Sequence, residues 1–443
     1  VSANYRNVSA YLEKLIREEG KEALLERLRP RPENPPASRA RGLARISERG
    51  METLWEMANA PEGVREELAD ERTLAYSEHY ENNIENFVGT VKLPVGLIGP
   101  LRVNGLFAQG DYCVPLATTE AALVASYHRG AQLLTEAGGC TSVLLAEGVS
   151  RAPAFAFAHM RDVGAFVSWA LIAIDEFRAQ AEATTRHGKL VDMRVTVEGN
   201  HVYLDFEYTT GDAAGQNMVT IATEAVCNYI IEHSPVKPEY HFVEANLSGD
   251  KKASARSFLS VRGKKVTAEV TLPGALVRKR LHTTPIAMER YWRMSALGGV
   301  MSGTIGVQGH YANGLAAMYI ACGQDAACVS ESAVGVTRFE LIPNGEGEED
   351  DALYASVTLP NLIVGTVGGG TSLPSQRACL DILGLAGAGK ARALAEVCAA
   401  VALAGELSII GALAAGDFAS AHHRLARGRK KETPDGDNTA AGG

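Results

Sequence analysis

Apolar positions recur at helical spacing over Tyr5–Leu28, placing Tyr11, Leu12, Leu15 and Ile16 on a shared face. The four prolines of "RPRPENPPAS" (Arg29–Ser38) end that pattern, because proline has no amide hydrogen with which to continue a helix. A second helical stretch is expected from about Arg39 to Asn59. "VKLPVGLIGPLRVNG" (Val91–Gly105) reads as extended chain punctuated by Gly and Pro, and a mostly apolar helix is expected to start at Thr118–Glu120. Helical spacing returns over Phe166–Glu182. Across "KLVDMRVTVEGNHVYLDFEYTTG" (Lys189–Gly211) the period changes to two, which predicts two strands joined by a Gly-Asn turn, with Val202, Leu204 and Phe206 on one face. Asp212 then suits the N-cap of a helix running to Ile231, so Pro153–Phe242 reads as a compact helix–hairpin–helix insertion. "KKVTAEVTLP" and "LYASVTLPNLIVG" (Leu353–Gly365) are predicted strands. Glu396–Gly416 is apolar but rich in Ala and Gly, with Glu406 in its middle, and reads as a core helix and not a membrane span.

Composition narrows the function classes. The net charge is −9, from 43 basic and 52 acidic residues, which argues against a general nucleic-acid binder. The segment "HHRLARGRKK" is the local exception. Seven scattered cysteines, an odd number without a CxxC, suit free thiols in a reducing cytoplasm. No signal peptide is visible, and a cytoplasmic location is expected. His422 and His423 are adjacent and lack further ligands at metal-binding spacing, so no metal is expected.

Several stretches can carry chemistry, each with a plainer alternative. No GxGxxG follows a strand, so the usual Rossmann fingerprint is absent. "GLAGAGK" (Gly384–Lys390) matches the start of a P-loop, but Ala391 follows and has no hydroxyl for Mg²⁺; a turn between helices explains the glycines better. In "NLIVGTVGGGTSLP", Gly368, Gly369 and Gly370 either let the backbone approach a ligand or make a tight turn. "TTRHGK" offers hydroxyls and Arg186 to a phosphate, or is a solvated loop. Asp250, Lys251 and Lys252 are a site or merely exposed charge. Asp325 interrupts an apolar run and is either buried with a partner, a lysine being a natural one, or exposed at a helix end. Glu120, at the expected helix start, is a dipole partner or a proton donor aimed into a cleft.

Taken in order, these segments resemble one family, 3-hydroxy-3-methylglutaryl-CoA (HMG-CoA) reductase, from about Glu81 to Arg427. The similarity is carried by "ENNIENFVGTVKLPVGLIGPL", "PLATTEAALVAS", "TGDAAGQNM", "GDKKASA", "ACGQDAA" and "GTVGGGT". The resemblance implies an α+β fold: a large α/β domain around a long central helix, an inserted small ferredoxin-like α/β domain, and a helical N-terminal region. Mapped here, these are a helical region 1–80, a large substrate- and CoA-binding domain from 81–152 and 254–428, a small dinucleotide-binding domain 153–242, a catalytic loop 243–253 and a tail 429–443. It implies NADPH-dependent conversion of HMG-CoA to mevalonate and free CoA, with NADPH as cofactor. It also implies a homodimer or dimer of dimers whose active sites lie between subunits; on the charge balance no nucleic acid is expected as a partner, and, unlike in animal relatives, no membrane. The catalytic positions would be Glu120, Lys251, Asp325 and His422. Arg151, Asn246, Asp250, Lys252 and Asn313 would hold the acyl group, and Ser126, Arg129 and His310 the CoA. Thr185, Arg186, Asp212, Gly215, Met218 and Gly368–Gly370 would contact the dinucleotide. On this reading Glu120 donates a proton, with burial and Asp325 working against the helix dipole. Ala214 and Gln216 depart from the family pattern in the dinucleotide motif, as does Glu244 near the acyl group, and His128 and His282 depart from it near the CoA path. The same residues would also serve a reductase of another acyl thioester, or a catalytically idle homologue that binds CoA or nucleotide.

Overall fold

The computed structural model describes residues 5–32, 45–344 and 351–416. The chain divides into two compact units, Val1–Thr90 and Val91–Gly443. The first is helical, with helices Tyr5–Glu19, Lys21–Leu28 and Glu48–Ala58 followed by the short Val64–Leu68 and Glu71–Ala75. The single helix expected over Tyr5–Leu28 breaks at Gly20, whose φ of 82° is not helical. Helix Glu48–Ala58 is capped at its start, where the Ser47 hydroxyl accepts the Gly50 N–H at 3.1 Å. Residues 39–44 lie outside the described residues.

Among the described residues, the second unit is built on ten strands: β1 (Val95–Gly105), β2 (Gln109–Ala117), β3 (Cys140–Arg151), β4 (Ala154–Ala156), β5 (Lys189–Glu198), β6 (His201–Thr209), β7 (Tyr240–Phe242), β8 (Gly263–Leu272), β9 (Val336–Ile342) and β10 (Ala352–Leu362). Their order is β7-β4-β6-β3-β8-β10-β9; β1 pairs with β2 and β3, and β5 pairs with β6. Most pairings are antiparallel, and β1–β3 is the parallel one. β3 serves two regions: residues 141–148 pair with β8 and residues 149–151 with β6. A separate apolar core lies in each region. Around β4–β7 the core is filled by helices Met160–Ile172, Ile174–Ala183 and Gln216–His233. The helix expected over Phe166–Glu182 is therefore two helices meeting at Ala173. The alternation read in β6 is met at Val202, Leu204 and Phe206. Asp205 between them is also buried, because it pairs with Arg256.

The larger core is organised by helix Ala391–Ala414. By length and composition this helix could cross a membrane, yet 83% of its most apolar window is buried inside the protein. Its two fully buried carboxylates are satisfied by hydrogen-bond donors, most of them backbone N–H groups. Glu396 accepts from the N–H groups of Phe107 and Ala108 at 2.8 Å, Leu144 at 3.1 Å and Leu106 at 3.2 Å. Glu406 accepts from His310 N–H at 2.8 Å, from Gly309 N–H and from the Thr337 hydroxyl at 2.7 Å. A buried carboxylate held in this way needs no counter-ion. Helix Leu123–Glu136 packs so closely on the long helix that a Cβ on Gly130 would overlap the carbonyl of Ala404. Gly130→Ala therefore opposes a helix-propensity gain of about 1 kcal/mol to an overpacking loss of roughly 1–3 kcal/mol. Because the Ala404 neighbour is backbone and cannot swing aside, overpacking is expected to win, giving a net loss of up to about 2 kcal/mol by urea denaturation.

Candidate active site

The loop after β7 turns sharply, with Asn246, Gly249 and Lys251 all in the left-handed region at φ 63°, 76° and 55°. At a lysine this conformation is sparsely populated and needs support from its surroundings. Support comes from Glu331, whose Oε1 accepts the Lys251 N–H at 3.0 Å. The side chain then extends to Asp325, with Nζ 2.8 Å from Oδ2. The hydrogen bond to Asp325, opposed by partial burial, holds the Lys251 ammonium above its ordinary value, so it stays charged at neutral pH.

Asp325 is not the buried carboxylate that one reading of its apolar context expects. It is 44% exposed, and it caps the short turn Ala326–Cys328 by accepting the Ala327 N–H at 3.0 Å. The buried carboxylate is Glu331, on the next turn of the same segment, and its partner is Arg262. Arg262 Nη1 donates to both Glu331 oxygens at 2.6 and 2.7 Å, while Nη2 donates to Asp250 at 2.7 Å and to the Gln216 side-chain carbonyl. Arg151 reaches Asp250 at 2.9 Å and Glu244 at 3.3 Å from the other side. Burial alone would raise the Asp250 carboxyl; Arg262, followed by Arg151 and Lys251, outweighs it and holds the group below its ordinary value. Burial raises Glu331, with Arg262 opposing. Arg262 and Glu331 are absent from the sequence-derived site. The available signal was the same for Glu331 as for Asp325, a lone carboxylate among small apolar residues. Gln216, a departure in the expected dinucleotide motif, faces this ion network.

Glu120 lies elsewhere in the chain's own contacts. The helix expected to include it begins at Leu123, after left-handed Ala122, so Glu120 sits in the loop that follows β2. Its N–H donates to the Thr118 hydroxyl, and both carboxylate oxygens accept from Asn313 Nδ2 at 3.0 and 3.1 Å. Glu120 is exposed, not desolvated as expected. Lys251–Asp325 and Glu120–Asn313 thus form two pairs, and no hydrogen bond or ion pair joins them among the described residues. Lys252 donates to the Asp250 carbonyl at 2.8 Å. Ser126 and Arg129 converge on Ser408, at 2.9 Å between hydroxyls and 2.7 Å from Arg129 Nη2 to the carbonyl. His310 stacks on Tyr127 with 4.9 Å between ring centroids, and its Nε2 is buried without a partner. His422 and His423 lie outside the described residues.

The remaining positions form backbone turns. Thr185 accepts the N–H groups of His187 and Gly188 and lies 3.0 Å from the Met218 sulfur. Arg186 beside it is exposed, with no carboxylate paired to it among the described residues. Asp212 does not cap helix Gln216–His233, which starts after left-handed Gly215. Its carboxylate instead accepts the N–H groups of Gly389 at 2.7 Å and Ala391 at 3.1 Å, at the start of the long helix. The P-loop-like residues 384–390 therefore have their anion supplied from within the chain. Gly368 and Gly369 have positive φ and open space where a side chain would point, and Gly370 packs on Gly323 of the 323–325 turn. Gly365 N–H donates to Gln324 at 2.8 Å, tying these turns together.

With this geometry in view, the chain matches the family model described as hydroxymethylglutaryl-coenzyme A reductase over residues 51–427. It is 43% identical over 353 residues to the 3-hydroxy-3-methylglutaryl-coenzyme A reductase of Pyrococcus horikoshii, covering 78% of this chain and 84% of that one. It is 44% identical over 350 residues to the protein of the same name from Halobacterium salinarum, with 78% and 84% covered. Among solved structures it is similar to the class II 3-hydroxy-3-methylglutaryl-CoA reductase from Streptococcus pneumoniae bound to NADPH, with a TM-score of 0.61 at 22% identity, over 83% of this chain and 97% of that one. The matched region contains both side-chain pairs and the ion network behind them, and the chain belongs to the hydroxymethylglutaryl-coenzyme A reductase family.

Proposed function

We propose that the protein reduces HMG-CoA to mevalonate and free CoA, consuming two NADPH and two protons. The observation that carries this reading is the Lys251–Asp325 pair, held at a half-exposed position by a backbone pinned to a buried carboxylate. The thioester takes up two hydrides in turn, by way of mevaldyl-CoA and mevaldehyde, and NADPH when bound supplies them. An ammonium beside the carbonyl oxygen stabilises the negative charge that each addition develops. Lys251 fills that role, and Asp325 positions it and keeps it charged. Glu120, oriented by Asn313, gives the aldehyde oxygen its proton. His422 protonates the departing thiolate.

Arg151, Asn246, Asp250 and Lys252 surround the acyl group, and Ser126, Arg129 and His310 line the CoA path. Residues 153–242 form the dinucleotide-binding domain. The open backbone at Gly368–Gly369 and the exposed cation of Arg186 suit a phosphorylated dinucleotide. Thr185, Gly215, Met218 and Gly370 shape the turns beside it, and Asp212 anchors one of them to the long helix. No hydrogen bond or ion pair joins the Glu120 and Lys251 pairs among the described residues, and the site is completed by a second copy, in a dimer or dimer of dimers.

The test is the fall in NADPH absorbance with HMG-CoA as substrate. Two NADPH oxidised per HMG-CoA is the expected stoichiometry, and no oxidation with either nicotinamide cofactor overturns the reading. Glu120→Gln is expected to lose roughly 10²- to 10⁴-fold in kcat, and undiminished turnover removes it from the proton-transfer role. Arg186→Ala is expected to raise KM for NADPH about tenfold or more while leaving KM for NADH near its wild-type value. Equal changes for both cofactors count against a phosphate contact.

A further inference from the structure

Glu244 has no part in the steps above, yet it sits in the ion network behind Lys251. Its Oε2 accepts from the Ser248 hydroxyl at 2.9 Å, from the Ala152 N–H at 3.3 Å and from Arg151 Nη1 at 3.3 Å. Its Oε1 is buried without any hydrogen-bond partner. Arg151 is only 5% exposed, and its Nη1 is divided between Glu244 and Asp250. The ion pairs here join three cations, Arg151, Lys251 and Arg262, to four carboxylates, Glu244, Asp250, Asp325 and Glu331, while Lys252 meets the Asp250 backbone carbonyl. Each of these three cations already has a carboxylate partner before any substrate arrives.

We infer that Glu244 sets acyl-group selectivity by charge: it engages Arg151 in advance, so an acyl chain ending in a carboxylate binds against it, whereas a neutral acyl chain does not. The inference rests on reading this cluster as the acyl site of the reductase. Two carboxylates brought to one guanidinium in a partly desolvated cluster repel each other, and like-charge juxtaposition of this kind discriminates between ligands of equal shape. HMG-CoA is accepted at a higher KM than the cluster would give without the Glu244 charge, and a branched hydroxyacyl thioester without the distal carboxylate escapes that repulsion.

Glu244→Gln keeps the size of the side chain and an oxygen for Ser248 and removes the charge. KM for HMG-CoA is expected to fall at least about tenfold, while KM for 3-hydroxy-3-methylbutyryl-CoA, the same skeleton without the carboxylate, moves less than about twofold. Calorimetric Kd for free 3-hydroxy-3-methylglutarate is expected to fall by the same factor. Glu244→Asp retains the charge and is expected to keep the wild-type selectivity, which separates charge from packing. Equal shifts for the charged and neutral thioesters, an unchanged Kd, or an aspartate variant that behaves like the glutamine one overturns the inference. If the wild type reduces neither thioester, the reductase reading fails by itself, and the calorimetric comparison still decides the role of Glu244.

Discussion

Lys251→Ala is expected to lower kcat by roughly 10³-fold while changing the melting temperature little. The two halves of this expectation have different origins. A preorganised donor aimed at a developing oxyanion contributes to the transition state and little to the resting protein. The ground-state ion pair with Asp325 is about half exposed on each side, 43% and 44%, so water screens it. Its contribution to stability is about 1 kcal/mol or less. The backbone support from Glu331 is unaffected, because it engages the Lys251 N–H and not the side chain. Alanine at φ 55° keeps the same strain, so the comparison isolates the ammonium. Steady-state NADPH oxidation and a thermal melt on the same preparation decide it. A kcat within tenfold of wild type, in a variant that melts normally, removes Lys251 from the chemistry.

How far the site was legible in the sequence depends on the range over which each contact acts. Motif order located Lys251 and Asp325, and the structure brings them to 2.8 Å. The burial assigned to Asp325 belongs instead to Glu331, because a carboxylate in an apolar run carries no mark of which way its short helix faces. Arg262 was invisible for a related reason. It reads as one more charge in "VRGKK", and its burial is caused by a partner 69 residues away. Asp212 shows the same limit from another side. The capping rule assigned it to the nearest following helix, whereas its carboxylate serves a helix that begins 179 residues later. Strand alternation predicted the apolar face of β6 correctly, but no alternation predicts that Asp205 is buried beside it to meet Arg256. Periodicity reports which face is apolar, and long-range charge pairing has no period to read.

Arg262→Met is expected to destabilise the protein by about 3–5 kcal/mol at neutral pH, the range for removing one member of a buried ion pair. Methionine fills much of the same space and restores none of the charge. Arg262 is 2% exposed and serves Glu331, Asp250 and Gln216 together, so its removal leaves Glu331 fully buried with only the Lys251 N–H as donor. The deficit carries a pH signature whose sign follows from the two carboxyls. Burial already raises Glu331 and Arg262 opposes that rise, so without the guanidinium the group moves higher still. A carboxyl raised in the folded state binds its proton more readily there than in the unfolded chain, so the variant loses stability as pH rises through that window and recovers it on acidification. Asp250 acts in the wild type with the opposite sign: Arg262 helps hold it low, and the stability this provides is lost as pH falls toward and below the ordinary carboxylate range. Both effects narrow the gap between wild type and variant as pH drops from neutrality. Urea denaturation at a series of pH values measures it directly. A gap of constant size would assign the loss to packing and not to charge. The same variant is expected to lose most of its turnover, because Glu331 Oε1, which orients the Lys251 backbone, is the oxygen that Arg262 holds at 2.6 Å.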